Sequence, residues 1–469
     1  MRVDLKPYPE MRDSGVELLG KVPEHWEVRS LGTFGRFYKG SGGTKADETE
    51  QGVPCVRYGD LYTRHRFHIT ATRACVAPDR AGAYTPVRYG DVLFAGSGET
   101  LEEIGKSAVD LIRGSVVCGG DVIVFRPTID VDAEFIGWSA DCRQAASQKA
   151  RMGRGITVMH IYSSHLKYLL VPLPPLTEQT AIARFLDDAD RRIRRHIRAK
   201  ERLIELLEEE RQATIHEAVT GCIDVRTGRP YPSYKDSGFE WLGEVPDHWE
   251  VRSLGTFGRL FKGSGGTKAD ETELGVPCVR YGDLYTRHQF HITKSKACVA
   301  PDRARAYTPV RYGDVLFAGS GETLDEIGKS AVNLIRESAV CGGDVIVFRP
   351  TIHVDAEFIG WSTDCRHAAS QKARMGRGIT VMHIYSSDLK HLALPLPPLT
   401  EQTAIARFLA AVGRRMSARS AAVERELDLL REYRTRLVSD VVTGKLDVRA
   451  VAAGLLDHRS DSQPGAIDS

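Results

Sequence analysis

The chain has 469 residues, 42% of them hydrophobic and 27% charged, with 64 Lys plus Arg against 62 Asp plus Glu. That composition excludes collagen-like and low-complexity chains. The balanced charge settles nothing about nucleic acid, because a basic patch can hide inside a neutral total. Met1 is followed by Arg, Asp and Lys, and no run approaches the ~20 apolar residues that span a bilayer. A soluble, cytoplasmic chain without membrane contact is expected.

The sequence is written twice. From Tyr8 to Arg449 each residue aligns without gaps on the one 223 positions later, and between Trp26 and Phe185 only 19 of 160 aligned positions differ. Beyond Phe185 the copies diverge, although hydrophobic spacing survives. One part repeats a recognition task; the other repeats a shape.

Within each globular copy, Val53 to Arg57, Val92 to Ala95 and Val116 to Arg126 are rich in β-branched or aromatic residues and bounded by Gly, Pro and Asp, which predicts strands. Phe135, Trp138, Cys142, Ala145 and Lys149 recur at three- and four-residue steps and predict one amphipathic helix. A glycine-rich turn follows at Met152-Gly153-Arg154-Gly155. A last strand, Leu166 to Val171, runs into Pro172-Leu173-Pro174-Pro175, which must leave the domain extended.

Thr177 and Glu178 open a helix that Pro174-Pro175 keep from starting earlier. No proline or glycine follows until after Val219, and Leu186, Ile193, Ile197, Ile204 and Leu207 fall on one heptad seam. Its counterpart carries Leu409, Met416, Val423 (one step aside), Leu427 and Leu430. About 40 residues give a rod of roughly 60 Å, and a single apolar stripe needs a partner. The other copy of the helix is the obvious one. Asp190 and Lys200 interrupt the seam, and the basic run Arg191, Arg192, Arg194, Arg195 and Arg198 is read as a solvated face or, less simply, as a contact for phosphates or a partner subunit.

The expected fold class is α+β, with two mixed α/β recognition domains separated by a pair of long antiparallel coiled-coil helices and related by internal pseudo-twofold symmetry. Boundaries are drawn at 1–175, 176–221, 222–398, 399–445 and, for a disordered tail, 446–469. Nine cysteines form four repeat pairs plus Cys222, none in a C-x-x-C arrangement, which predicts reduced thiols and no zinc site.

No enzyme signature stands out. Gly40-Ser41-Gly42-Gly43-Thr44-Lys45 lacks the order of a phosphate loop. Gly96-Ser97-Gly98 is not a nucleophile elbow, and no histidine adjoins it in sequence. Asp91 and Glu99 are better explained by turns and caps than as a catalytic pair. No catalytic residue and no metal ligand is assigned. Lys39, Lys45, Arg57, Tyr58, Tyr62, Arg64, His65, Arg151 and Arg154 instead sit in or beside glycine-containing turns, and Lys262, Lys268, Arg280, Tyr281, Tyr285, Arg287, His288, Arg374 and Arg377 repeat them. Basic and aromatic side chains on such loops suit a phosphate backbone and base edges.

Four blocks in fixed order then carry a resemblance. Val22-Pro23-Glu24-His25-Trp26-Glu27-Val28 resembles the opening of specificity subunits of type I restriction–modification enzymes. Val53 to Leu61 and Tyr89 to Glu99 resemble their two Gly-Asp blocks. Leu173-Pro174-Pro175-Leu176-Thr177-Glu178-Gln179-Thr180-Ala181-Ile182 resembles their passage from target-recognition domain into long helix. All four recur in the second copy, at 246–251, 276–284, 312–322 and 396–405. The resemblance implies a non-catalytic subunit that reads double-stranded DNA and holds two methyltransferase subunits. With restriction and translocase subunits it would direct adenine methylation and ATP-dependent cleavage. No cofactor is expected on this chain; S-adenosylmethionine, ATP and Mg would belong to the partners. The family usually carries two dissimilar recognition domains, whereas these are nearly the same. That difference predicts a split, near-palindromic target with a gap of half to one helical turn, on the ~10 bp scale of half-site geometry. The copies differ at Arg66/Gln289, Arg73/Lys296, Gly82/Arg305, Asp130/His353 and His165/Asp388, where the half-sites could diverge. Rival readings are a protein-binding scaffold and a methylase or nuclease with its own undetected site.

Overall fold

The computed structural model describes residues 5–43, 45–266 and 268–455. They fall into two compact units, one up to Lys200 and again from Arg425, the other between Glu201 and Glu424. The units cut across the linear order expected from sequence: each combines one globular copy with parts of both long helices.

In the first unit two five-stranded sheets share a core. One runs Gly35–Lys39, Val122–Pro127, Val92–Ala95, Ser107–Asp110, Phe67–Ile69; the other runs Glu48–Thr49, Ala74–Val76, Val53–Val56, Val116–Cys118, Thr85–Val87. Both are antiparallel except where Ser107–Asp110 meets Phe67–Ile69 and Val116–Cys118 meets Val53–Val56. Successive strand side chains point to opposite faces, and Val92–Ala95 shows the result. Leu93 and Ala95 join Val56, Leu61 and Val124 on one side; Val92 and Phe94 join Phe125, Phe135 and Trp138 on the other.

Helix α1 is Tyr58–Thr63, α2 is Ala133–Ala140 and α3 is Arg143–Met152. The one amphipathic helix expected over 135–149 is thus two. Asp141 breaks it by turning its carboxylate to Ser107 N (3.1 Å) and to Lys149 Nζ (2.8 Å). Lys149 is 1% exposed and also gives Nζ hydrogen bonds to Ser107 Oγ and the Ala140 carbonyl. A buried ammonium needs such full satisfaction. The long strand expected over 116–126 is also two, Val116–Cys118 and Val122–Pro127, which join different sheets on either side of Gly119-Gly120-Asp121. The expected strand at 166–171 begins later: Ser163–Leu166 is a helical turn, and Leu170–Leu173 pairs with Glu27–Ser30.

The long helices are α4, Leu176–Thr220, and α5, Leu399–Val442. In the first unit they run antiparallel, since Asp190 meets Arg434 while Lys200 meets Glu426 at 2.5 Å. Ile182, Leu186 and Ile193 share a core with Leu437, Val438 and Val441. The second unit repeats both sheets, and there Leu207 packs on Val412 and Met416. Among the described residues no helix is long and apolar enough to cross a membrane. All nine cysteines are free thiols; burial pushes Cys118 up to about 12 and Cys55 up to about 11.

The expected tail from 446 departs from the structure at its start. Arg449–Ala452 is helical, and Leu446, Val448 and Ala452 pack into the first unit's core; residues 456–469 lie outside the described residues. Glu178 explains the docking. Its carboxylate accepts hydrogen bonds from Tyr8 Oη (2.9 Å) and Trp26 Nε1 (3.0 Å), meets His25 at 2.7 Å and lies 3.5 Å from Arg449. Gly444, at φ 70°, lets the chain pass Pro23 and Trp26, where a Cβ would come within 2.3 Å. The second unit builds the same cluster on Glu401 from Tyr231, Trp249, His248 and Arg226. There burial opposes ionisation, yet those donors hold the Glu401 carboxyl below the usual range.

Candidate nucleic-acid interface

The candidate residues gather around α1. Arg57 precedes it and is half-buried, its Nε 2.7 Å from Glu48, while Asp60 Oδ2 accepts the Arg57 backbone N–H. Tyr58 is exposed. Tyr62 is not: its hydroxyl donates to the Ser97 carbonyl (2.9 Å), and burial pushes it up to about 12. Arg64 is exposed, 3.9 Å from Asp60. His65 is half-buried, and burial lowers its pKa against the pull of Asp60, so it is a neutral ring rather than a phosphate-binding cation at neutral pH. The second copy repeats each of these: Arg280 on Glu271, exposed Tyr281, Tyr285 on Ser320, Arg287 near Asp283, and His288 lowered by burial.

The Tyr62 contact ties α1 to a second element. Ser97–Gly98 pairs with Met159–His160, and backbone hydrogen bonds join His160 to Arg154 in both directions. Arg154 is exposed and caps the carbonyls of Arg151 and Gly153; exposed Arg151 lies 3.3 Å from Glu17. The structure thus brings Tyr58, Tyr62, Arg64, His65 and Arg154 into one connected assembly. Arg374 and Arg377 hold the matching places, but Arg377 pairs with Asp388 at 3.1 Å, which stands where the first copy has His165. Lys39 and Lys262 are exposed at strand ends. Lys45 and Lys268 begin short 3-10 turns; their side chains lie outside the described residues.

Two features escaped the sequence. A histidine does stand beside Ser97: His160 Nδ1 is 3.1 Å from its Oγ, and His383 is 3.0 Å from Ser320. The strand pairing brings them together from 63 positions apart, and among the described residues no carboxylate hydrogen-bonds to the far side of the ring, as a nucleophile's base requires. The pair closes the ladder. The second feature is apolar: Ile156, Val158 and Tyr162 stand exposed in the loop after Arg154. Asp91, set aside as a structural carboxylate, pairs with Arg126 at 2.6 Å and accepts the Arg88 N–H.

Two mixed sheet domains, each bearing a basic and aromatic face and each braced by antiparallel long helices, define a duplicated recognition protein. The family model for the type I restriction modification DNA specificity domain matches residues 23–205 and 246–425, and the chain belongs to that family. It is a DNA target-recognition subunit. It is 23% identical over 445 residues to the protein assigned as the type I restriction enzyme MjaX specificity subunit of Methanocaldococcus jannaschii, covering 92% of this chain and 96% of that one. It is 22% identical to the type I restriction enzyme EcoKI specificity subunit of Escherichia coli K12, over 83% of this chain and 82% of that one. A chain in a solved structure of a type I R-M system shares the fold with a TM-score of 0.68 at 19% identity, covering 91% of this chain and 99% of that one.

Proposed function

We propose that each unit reads one half of a split duplex target and that the two half-sites are nearly identical when read on opposite strands. The observation that carries this is the likeness of the two readers: α1 and the 151–160 loop are the same, residue for residue, in both copies. The chain itself is non-catalytic and works in the cytoplasm. It holds two methyltransferase subunits, which supply S-adenosylmethionine chemistry on adenine. Restriction and translocase subunits supply ATP- and Mg-dependent cleavage.

Co-expression with its modification subunits in a methylation-free host, followed by mapping of methylated adenines, tests the reading. A gapped, near-palindromic motif is expected; two unrelated half-sites would overturn it. Duplex binding by the assembled complex should also weaken steeply with added salt, since phosphate contacts release counterions. A protein-only scaffold would show no such slope.

A further inference from the structure

Ile156 and Ile379 are the most exposed large apolar side chains among the described residues, 99% and 98% open. Each stands at the tip of a closed loop. Arg154 and His160 exchange backbone hydrogen bonds of 2.9 and 2.7 Å, as do Arg377 and His383. Gly155 and Gly378 hold φ near 146° and 145°, where a Cβ would lie 2.0 Å from the carbonyl oxygen of Val158 or Val381. The backbone therefore fixes the tip, and isoleucine, stiff at χ1, is presented with little rotamer freedom left to lose.

Nothing in either unit's own packing uses this side chain, yet the repeat retains it. Residues 151–164 and 374–387 are identical, whereas exposed position 51 holds Gln and its counterpart Leu274, 87% open, has drifted. The tip is flanked by exposed Arg151 and Arg154 and is tied to α1 through Ser97. Cations around an apolar point match a surface anionic at its rim and apolar at one spot on its floor. The major groove is such a surface, with phosphates at its edge and the thymine C5-methyl inside.

We propose that Ile156 and Ile379 each contact the 5-methyl group of a thymine in their half-site. This rests on the two-half-site reading above and assigns within it the residue that tells thymine from cytosine by shape. The test uses the full chain assembled with its modification subunits and the duplex motif found by methylation mapping. Thymines are replaced, one matched pair at a time, by deoxyuridine, which lacks only the methyl. For one pair, loss of both methyls should weaken binding about tenfold. The I156A/I379A variant should bind the thymine and deoxyuridine duplexes equally. Its thermal midpoint should match the parent, because both tips are solvent-exposed. The assignment is overturned if every deoxyuridine duplex binds as well as the parent, or if the variant still distinguishes the two. It is equally overturned if the variant loses its methyltransferase subunits while DNA affinity stays unchanged, which would make the tip a protein contact. Failure of the unmodified complex to prefer its motif over a scrambled duplex would instead remove the recognition reading, and this assignment with it.

Discussion

Asp110 and Asn333 occupy the same place in the two copies and differ by one terminal group. Both are fully buried. Asn333 satisfies the site: its amide donates to the Arg311 carbonyl (3.1 Å) and its Oδ1 accepts from Ile335 N. Asp110 accepts from Ile112 N, but its Oδ2 has no hydrogen-bond partner. Burial, reinforced by the neighbouring Asp91 carboxylate and opposed by the Ile112 N–H, pushes it up to about 7. A carboxyl whose folded pKa lies above its unfolded value of about 3.9 holds its proton better when folded, so stability falls as pH rises from about 4 to about 7. The D110N variant should remove that slope and raise the first unit's unfolding midpoint at pH 8 by several degrees, on the scale of roughly 2–4 °C per kcal/mol for units of about 150–250 residues. Thermal scans at pH 5 and pH 8 decide it; the same midpoints for both proteins at both pH values would sink the idea. The Asp-to-Asn difference is plain in the sequence, yet its meaning is not, because nothing local to Ser-Ala-Val-Asp says that this strand end is sealed from water.

At the scale of elements, the polar residue in the heptad seam finds its reason. Asp190 is buried and pairs with Arg434 of α5 and with Arg194 one turn on. In the second unit the matching arginine is Arg211, and Gly413 stands where Asp190 would. There Gln289 takes over, its Oε1 accepting from Arg211 at 2.9 Å. The Arg66/Gln289 difference, expected as a place where half-sites might diverge, is therefore tied to the helix at Gln289. Removing one partner of a buried pair strands the other, so D190A should cost about 3 kcal/mol of stability. Q289R should destabilise the second unit by setting a second guanidinium beside Arg211, and adding G413D should restore it. Chemical denaturation of the variants measures both, and an unrescued Q289R would refute the pairing. The long helices were legible because periodicity over forty residues is hard to mistake. The break at Asp141 was not, because its cause is a hydrogen bond to Ser107 and a salt bridge to Lys149, contacts that exist only in three dimensions. The same holds for the candidate interface: α1 was readable as a basic and aromatic turn, but its link to Arg154 runs through Ser97 and His160.

For the whole molecule, the repeat is cyclic. Asp447 bridges Lys6 as Asp224 bridges Arg229, and each of these partners lies 223 positions from its counterpart. What the second unit does with the continuous turn 224–229, the first does with two separate ends of the chain. A circle of parts has no obligatory first member, so the protein should tolerate circular permutation. A chain that begins at Arg229, runs to Arg449, passes through a Thr-Gly pair into Lys6 and ends at Gly228 keeps every core described above except the turn beyond Arg449. It should unfold within a few degrees of the parent and, assembled with its modification subunits, methylate the same motif. Opening the chain inside α4 between Leu186 and Ile193 should instead unfold the first unit, since both residues belong to one core there.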